Sequence, residues 1–346
     1  MSKQKLRVGV VGTGEVGRTT ARLLASSSYA PVRLFDRDNK KALQVSAELN
    51  SQSNLSSANL LSIHCADISS FCACTDVIFV CVETNILHQH SIQEIDVDDK
   101  LHENTLLTKL KKKNIDMELS EPQEINKSMT NELMVDECGT YDTRNLCQLL
   151  DFMKDKIERR QEHGKKFLIL RSTVLPGTTD LIDEIYQDVF HTFYWPEFQS
   201  RATADLDTSG IGSASGLILG HGTSVACSAQ MYIQEMFEDI FMSIPQYSSR
   251  IPIWSIRSRE AECIKLFGNA FYAEKIRFFQ RIFSLCQKMQ ISYDIVRLGM
   301  LNKCFIKSSH TQVPGSDGVI NNIQGPCLSK DHEAFETLER ILSEDI

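Results

Sequence analysis

The sequence predicts an α/β fold in which a doubly wound parallel sheet is followed by a mostly helical domain. Two observations indicate this fold: apolar strands alternate with amphipathic helical segments in the N-terminal part, and helical periodicity replaces the strands from about residue 223. The length of 346 residues also exceeds the usual size of a single domain. We therefore predict a first domain over residues 1–222 and a second domain over residues 223–346.

Four apolar runs predict strands of the sheet. The first, KLRVGVV, is followed by a glycine turn and a helical segment, and the second, PVRLFD, comes next along the chain. The third, DVIFVCV, and the fourth, KKFLIL, are continuously apolar, as parallel strands buried on both faces require. The alternation of these strands with helical segments is typical of a doubly wound sheet.

A polar stretch interrupts this pattern between Glu83 and Cys138, and we interpret residues 86–137 as a surface insertion. Its His88 and His90 have the residue type of a metal ligand, but a polar loop usually leaves such side chains solvated, so no metal is predicted. Later in the chain, the segment REAECIKLFGNAFYAEKIRFFQRIFSLCQKM is long and periodic enough for a buried spine helix of the second domain.

Composition excludes several classes of partner. The net charge of −8 argues against nucleic acid, because phosphate binding usually needs a strongly basic surface. No apolar run approaches the roughly 18 residues of a membrane-spanning helix, so no membrane partner is predicted. The 11 cysteines are scattered and no secretory apolar segment precedes the first strand, which favours a reducing, cytoplasmic compartment.

A glycine-rich loop follows the first strand and opens the first helical segment. Its Gly12, Gly14 and Gly17 have the Gly-x-Gly-x-x-Gly spacing of a Rossmann-type dinucleotide site. In such a loop the backbone turns tightly and its N–H groups approach the pyrophosphate, while the helix N-terminus attracts the anion. Glu15 and Val16 lie within this loop and join the predicted cofactor-binding residues.

The residue at the end of the second strand bears on the choice of cofactor. Asp36 stands where its carboxylate would accept hydrogen bonds from the hydroxyl groups of the adenosine ribose. Because this carboxylate would repel a 2′-phosphate, the sequence predicts NAD. Arg37 follows directly and can receive such a phosphate, so NADP stays open as the alternative.

Two later segments carry residue types suited to redox chemistry. Lys265 and Asn269 are at positions i and i+4, so one helix face presents an ammonium and an amide that can polarise an alcohol or hold an oxyanion. In GPCLSKD, Cys327 has Lys330 and Asp331 close by, and a neighbouring cation favours the nucleophilic thiolate. A surface lysine beside an incidental asparagine is the alternative interpretation of the first pair.

Together these segments resemble the UDP-glucose/GDP-mannose dehydrogenase family, in the family's order and discontinuously across nearly the whole chain. The glycine loop is a weakly specific part of the likeness. STVLPGTT and the spacing from the Lys-x-x-x-Asn helix to the Cys-x-x-Lys-Asp loop are specific. The matching stretches are VGVVGTGEVG, FDRDNKK, CVET, GTYDTRNL, RSTVLPGTT, YWPEF, AECIKLFGNAFYAEKI and GPCLSKD.

The resemblance implies an enzyme that oxidises the C6 hydroxymethyl group of a nucleotide sugar such as UDP-glucose to a carboxylate, using two NAD, in polysaccharide biosynthesis. It implies that Cys327 is the nucleophile, which carries a thiohemiacetal and then a thioester, while Lys265 and Asn269 stabilise the oxyanion. It also implies a helical second domain like that of 6-phosphogluconate dehydrogenase and a homodimer formed through the long helix.

The resemblance assigns four further residues. Glu197 would serve the acid/base and thioester-hydrolysis steps, Thr173 and Asp331 would hold and activate a water, and Thr84 would line the cofactor. All six main catalytic positions of the family then carry the expected residue type. They are Thr173, Glu197, Lys265, Asn269, Cys327 and Asp331.

The departures from the family's pattern lie around the substrate. Because few residues follow Asp331, the C-terminal domain that grips the nucleotide in the family is expected to be absent. A loop resembling VPGPDG contains His310 and Asp317, which either contact substrate or belong to a turn without a ligand role. The residues that differ from the family's usual ones are Gln199, Ser200, Arg201, Ala202, Gln280, Arg281 and Ser329, and Gly325 alone is left of a glycine-rich run.

Two alternative functions remain open at this point. The related 3-hydroxyacid dehydrogenases share the Lys-x-x-x-Asn helix, so a two-electron oxidation of another alcohol is one alternative, with Cys327 only structural. The other is a regulatory protein that binds NAD without turnover, which the altered substrate segments favour.

Overall fold

The structure is a computed structural model that describes residues 5–51, 61–85, 141–160, 164–198, 216–244, 251–304, 306–314 and 326–344. The chain divides into Met1–Lys265 and Leu266–Ile346, which are named the first unit and the second unit. The predicted insertion, with His88 and His90, lies outside the described residues.

An eight-stranded sheet forms the centre of the first unit, within the described ranges. The strands follow the order β3-β2-β1-β4-β5-β6-β7-β8, and all neighbours are parallel except β6 and β7. The four predicted runs are β1, β2, β4 and β5, which confirms the predicted parallel sheet. The strands are β1 (Val8–Val11), β2 (Val32–Phe35), β3 (Ser62–His64), β4 (Val77–Val80), β5 (Lys166–Leu170), β6 (Phe190–Tyr194), β7 (Leu217–His221) and β8 (Ile253–Arg257).

Helices cover both faces of this sheet. Successive residues of a strand point to opposite faces, and in β4 Phe79 packs in one apolar cluster while Ile78 packs in the other. This explains why the predicted central strands are continuously apolar. The helices of the first unit are α1 (Glu15–Ala25), α2 (Asn39–Ser51), α3 (Ile68–Ala73), α4 (Arg144–Glu158), α5 (Thr178–Tyr186) and α6 (Cys227–Met242).

The division between the units falls later in the chain than the boundary predicted after residue 222. Strand β8 hydrogen-bonds to β7 and so extends the sheet of the first unit. Helix α6 buries Ile233 and Phe237 in the same cluster as Phe79, so it also packs on the sheet. Helical periodicity after residue 222 therefore indicated a helix but not the unit in which that helix packs.

The second unit is helical in its described residues, in agreement with the predicted fold class. It contains most of α7 (Ser258–Lys288), which begins in the first unit, together with α8 (Tyr293–Lys303) and α9 (Pro326–Glu344). A small core forms around Phe279, Cys286 and Tyr293. Helix α7 is the predicted long helix, but it is only partly buried, since Phe271 is 62% exposed and Leu285 is 54% exposed.

Among the described helices, none combines the length and the apolar character needed to cross a membrane.

Candidate active site

The glycine loop turns tightly between β1 and α1. Gly12 has a φ of +85°, and a Cβ there would lie 2.6 Å from the carbonyl oxygen of Cys81. A Cβ on Gly17 would lie 1.8 Å from the carbonyl oxygen of Gly12. Contacts within the protein therefore require both glycines: Gly12 for the turn and Gly17 for the close packing of the helix on it.

Gly14 differs from these two glycines. Its φ is −65°, which any residue adopts, and a Cβ would meet nothing within 4 Å. Gly14 is also the N-cap of α1, and it has no side chain with which to cap that helix. The open space and this helix start fit the pyrophosphate of a dinucleotide, which would accept the N–H groups and occupy the room that a side chain would fill.

Asp36 is joined to the glycine loop directly after β2. One carboxylate oxygen accepts hydrogen bonds from the backbone N–H of Thr13 at 2.7 Å and from its hydroxyl at 2.8 Å. The other oxygen accepts from the backbone N–H of Asp38 at 2.9 Å. These donors orient the carboxylate at the carboxyl end of β2, and a carboxylate has lone pairs to accept further hydrogen bonds. Arg37 beside it is exposed.

The loops that follow β4 and β5 are tied together. The hydroxyl of Thr84 donates to the carbonyl oxygen of Thr173 at 2.6 Å. The hydroxyl of Ser172 donates to the carbonyl oxygen of Val82, also at 2.6 Å. Thr84 is buried, whereas Thr173 is partly exposed. The structure thus places two predicted site residues in contact at the carboxyl end of the sheet. Contact of Thr84 with the cofactor stays a prediction.

Glu197 forms a buried ion pair with Arg171 at the end of β5, a partner that the sequence interpretation missed. The Arg171 guanidinium hydrogen-bonds to a Glu197 carboxylate oxygen, and the side chains are 1% and 11% exposed. The guanidinium carbon lies 3.7 Å from the centroid of the Trp195 ring. A hydrogen bond of 3.5 Å to the carbonyl oxygen of Trp195 orients it further. The sequence shows an arginine directly before the STVLPGTT segment, but it does not show that this side chain is buried against Glu197.

Lys265 lies in the same part of the first unit as Glu197. Its side-chain nitrogen is 5.7 Å from the ring centroid of Phe198, the residue after Glu197. Lys265 is 8% exposed and projects from α7. The structure therefore places Lys265 beside the residue that follows Glu197 in the chain.

A second missed residue, Glu262, precedes Lys265 on α7. Its carboxylate accepts hydrogen bonds from the N–H of Gly177 at 2.6 Å, the N–H of Thr179 at 2.8 Å and the hydroxyl of Thr179 at 2.6 Å. Glu262 is completely buried, and burial raises the pKa of its carboxyl to about 8.

In the second unit, Asn269 and Asp331 are in direct contact. The side-chain amide of Asn269 donates to a carboxylate oxygen of Asp331 at 2.6 Å, and Asp331 is 1% exposed. Cys327 is exposed and lies in the first turn of α9, the helix that carries Asp331. Three of the predicted catalytic residues are therefore arranged around the start of α9.

The remaining cysteines of the described residues are free thiols, and several are buried in the core. Burial raises the pKa of Cys81 to about 11 and that of Cys147 to about 12, which makes both thiols poor nucleophiles. Cys227 and Cys304 are exposed like Cys327, but Cys327 is the exposed cysteine that follows a Gly-Pro pair at the start of a helix.

His332, the neighbour of Asp331, connects α9 to α7. Its Nε2 lies 2.6 Å from a carboxylate oxygen of Glu274, and its Nδ1 lies 3.4 Å from one of Glu336. The hydrogen bond from His332 lowers the pKa of the Glu274 carboxyl. This contact was not predicted, and it holds the turn of α9 that presents Asp331.

His310 has an unusual backbone conformation, with a φ of +60°, and its ring stacks on that of Tyr272 with centroids 4.5 Å apart. Burial lowers the pKa of the His310 imidazole. The other substrate-loop residues singled out in the sequence lie outside the described residues: Gln199, Ser200, Arg201, Ala202, Asp317 and Gly325. Among the residues that are described, no three His, Cys, Asp or Glu side chains are grouped as metal ligands.

The glycine turn, the open space beside Gly14 and the carboxylate after β2 define a Rossmann-type α/β fold, which a helical second unit follows along the chain. The particular likeness is to the UDP-glucose/GDP-mannose dehydrogenase family, whose central domain matches residues 259–344, and this confirms the predicted resemblance. In the N-terminal part, residues 2–134 match the family described as shikimate/quinate 5-dehydrogenase.

Individual proteins show the same likeness. The UDP-glucose 6-dehydrogenase YwqF of Bacillus subtilis is 27% identical over 195 residues, which are 54% of this chain and 39% of that protein. A UDP-glucose dehydrogenase from the archaeon Pyrobaculum islandicum has the same fold, with a TM-score of 0.66, 17% identity, and coverage of 99% of this chain and 66% of that one. The chain thus spans less than two thirds of the length of these two relatives.

A Mycobacterium tuberculosis 3-hydroxyisobutyrate dehydrogenase also shares the fold, with a TM-score of 0.56 and 11% identity. The likeness covers 97% of this chain and 88% of that one.

Proposed function

We propose that the protein oxidises the C6 hydroxymethyl group of a nucleotide sugar resembling UDP-glucose to a carboxylate, using two NAD for each substrate. The observation that carries this proposal is the hydrogen bond between Asn269 and Asp331 beside Cys327, within the segment that matches the family's central domain. An amide, a carboxylate and an accessible thiol are the groups needed to oxidise an alcohol beyond the aldehyde.

NAD is held in this proposal by the glycine loop and by Asp36. Bound NAD would accept one hydride in each of the two oxidation steps. The open space at Gly14 receives the pyrophosphate, and the Asp36 carboxylate, oriented by Thr13, accepts hydrogen bonds from the ribose and repels a 2′-phosphate. These contacts support NAD rather than NADP.

Cys327 carries the substrate between the two oxidations. The first oxidation converts the alcohol to an aldehyde, and the thiolate of Cys327 adds to its carbonyl carbon to form a thiohemiacetal. Loss of a second hydride from that carbon gives a thioester, and water hydrolyses the thioester to the carboxylate and the free thiol. The exposed position of Cys327 in the first turn of α9 supports this role, because a nucleophile must be accessible to its substrate.

The other side chains stabilise charge and move protons. Lys265 and Asn269, one turn apart on α7, stabilise the oxyanion, and Asn269 is oriented by Asp331. By likeness to the family, Asp331 and Thr173 are the residues assigned to the hydrolytic water. Glu197 accepts a proton from that water, and its ion pair with Arg171 orients the carboxylate.

The exposed apolar side chains of α7 support a homodimer, in which a second copy covers this face. Phe271 and Leu285 are more than half exposed, and apolar side chains repeated along one helix indicate a contact surface. We further propose that the enzyme acts in the cytoplasm and that its product enters polysaccharide biosynthesis, both by likeness to the family.

The test is the amount of NADH formed per sugar consumed. The protein is incubated with NAD and a panel of UDP- and GDP-sugars, and about two NADH per sugar are expected, as two oxidation steps require. C327S should abolish carboxylate formation, whereas C304S, which alters another exposed cysteine, should behave as the wild type. One NADH per substrate together with a fully active C327S would refute the proposal.

The likeness to 3-hydroxyisobutyrate dehydrogenase favours a second candidate, a two-electron oxidation of a small hydroxyacid. This function needs Lys265 and Asn269 but no nucleophile. The same assay distinguishes the two functions when hydroxyacids are added to the panel. Binding of NAD by calorimetry without NADH from any substrate would instead indicate a regulatory binding protein.

A further inference from the structure

The first turns of α5 and α7 are joined by a cluster of polar contacts, here named the polar junction: Gly177, Thr179 and Asp180 on one side, and Ser258, Arg259 and Glu262 on the other. The Glu262 carboxylate receives three hydrogen bonds of 2.6 to 2.8 Å from Gly177 and Thr179. Ser258 donates to a carboxylate oxygen of Asp180 at 2.6 Å, and Arg259 pairs with the other at 3.3 Å.

Glu262 acts as the N-cap that α5 lacks. The N-cap position of α5 is Gly177, whose φ of +100° places it in the left-handed region, and no local side chain caps the helix. The first N–H groups of a helix have no partner within it, and here two of them donate to a carboxylate on another helix.

The position of this cap connects it to the proposed active site. Gly177 and Thr179 belong to the PGTT turn, which follows Thr173 within one short segment. Glu262 is three residues before Lys265 on α7, so both side chains lie on adjoining parts of one helix face. The polar junction is therefore close along the chain to two predicted catalytic residues of the first unit, Thr173 and Lys265, without itself containing either one.

Burying a carboxylate costs free energy unless its oxygens are fully hydrogen-bonded. Glu262 is completely buried, and burial raises the pKa of its carboxyl to about 8. An apolar residue would fill the same place at a lower desolvation cost, but only a carboxyl group offers an acceptor oxygen to each of the two N–H groups, on Gly177 and Thr179.

We propose that Glu262 is a positioning residue, which fixes the start of α7 to the PGTT turn and thereby holds Lys265 in place relative to Thr173. The expected effect on kcat rests on the proposed function. The expected effect on the position of Lys265 does not. Glu262 contacts neither substrate nor cofactor in this scheme. It acts through the two helices that it joins.

The experiment compares two disruptive variants with two matched controls. E262Q replaces one acceptor oxygen with an amide N–H that faces backbone donors, and T179V removes one hydroxyl donor at nearly constant volume. T179S keeps both Thr179 donors, and E260Q alters an exposed carboxylate two residues earlier on α7. Two measurements are made: the rate at which acetic anhydride modifies Lys265, mapped by mass spectrometry, and kcat with KM in the nucleotide-sugar assay.

Lys265 is 8% exposed, so the wild type should be modified slowly. We expect E262Q to raise the modification rate about tenfold and to lower kcat about 100-fold, with the dissociation constant of NAD within about twofold of the wild type. T179V should also raise the modification rate and lower kcat, but by smaller factors than E262Q. T179S and E260Q should match the wild type. If E262Q does not fold, T179V against T179S supplies the same comparison.

Two results separate this inference from the proposed function. Unchanged modification of Lys265 in folded E262Q and T179V would overturn the positioning role, even if kcat fell. Faster modification in both variants, together with no turnover of any nucleotide sugar by the wild type, would support the positioning of Lys265 by Glu262 and overturn the proposed function.

Discussion

The side-chain amide of Asn269, on α7, donates a 2.6 Å hydrogen bond to the carboxylate of Asp331, on α9. The two residues are far apart in the sequence, and this bond aligns an amide donor with a carboxylate that is 1% exposed. A hydrogen bond to a charged acceptor is stronger than one between neutral groups. Asp331 therefore fixes which way the Asn269 amide points, and Cys327 lies one turn away on α9.

The first prediction concerns the charge of Asp331. D331N keeps a hydrogen-bonding side chain of the same size but removes the carboxylate that orients Asn269, so kcat should fall about 100-fold or more in the nucleotide-sugar assay. E339Q, which changes an exposed carboxylate on the same helix, should leave kcat unchanged. A D331N enzyme with wild-type kcat would remove Asp331 from the proposed mechanism.

The second prediction separates two glycines of one loop. G17A should lower the free energy of unfolding by about 1–3 kcal/mol or more, because its Cβ would lie 1.8 Å from the Gly12 carbonyl oxygen. G14A should cost less than about 1 kcal/mol, since its Cβ meets only open space. G14A should nevertheless weaken NAD binding about tenfold or more, measured by calorimetry. Equal NAD affinity in G14A and the wild type would contradict the placement of the pyrophosphate.

The third prediction concerns the buried pair of Arg171 and Glu197. R171M leaves the Glu197 carboxylate without its charged partner in a site where the two side chains are 1% and 11% exposed. The free energy of unfolding should fall by about 3–5 kcal/mol, as urea denaturation would measure. The double variant R171M/E197Q should recover part of this loss, because the unpaired charge is gone. A loss that the second substitution does not reduce would show that the pair is not the cause.

The fourth prediction concerns pH and stability. Burial raises the pKa of Glu262 to about 8, above its value in the unfolded chain. The folded chain therefore holds a proton that the unfolded chain releases. The contribution of Glu262 to the free energy of unfolding is complete below the unfolded pKa and is lost as pH rises to about 8. Thr179, Gly177 and Asp180 act on Glu262, and Glu262 in turn acts on Cys263.

E262Q cannot titrate at this position, so its urea midpoint should fall less than that of the wild type between about pH 5 and about pH 8. Histidines and other groups contribute to both proteins and cancel in the difference. E260Q serves as the matched control and should follow the wild type. Parallel curves for the wild type and E262Q would show that Glu262 does not change its protonation in this range.

Local sequence patterns were sufficient for the fold class and for the glycine loop. Continuous apolar runs predicted β1, β2, β4 and β5 because each strand, buried on both faces, must itself be apolar. The i,i+4 spacing of Lys265 and Asn269 likewise needs only that the segment be helical, and α7 is helical throughout. The likeness to the dehydrogenase family supplied the residue roles, which stay predictions.

Relationships between distant parts of the chain were decided only by the tertiary structure. Arg171 and Glu262 look like ordinary charged residues in the sequence, and their burial depends on which strands and helices pack around them. The hydrogen bond of Asn269 to Asp331 and the packing of α6 on the sheet also depend on which distant segments come together. Hydrophobic periodicity shows which face of a segment is buried. It does not show which other segment packs against that face, because that depends on how the chain folds back on itself.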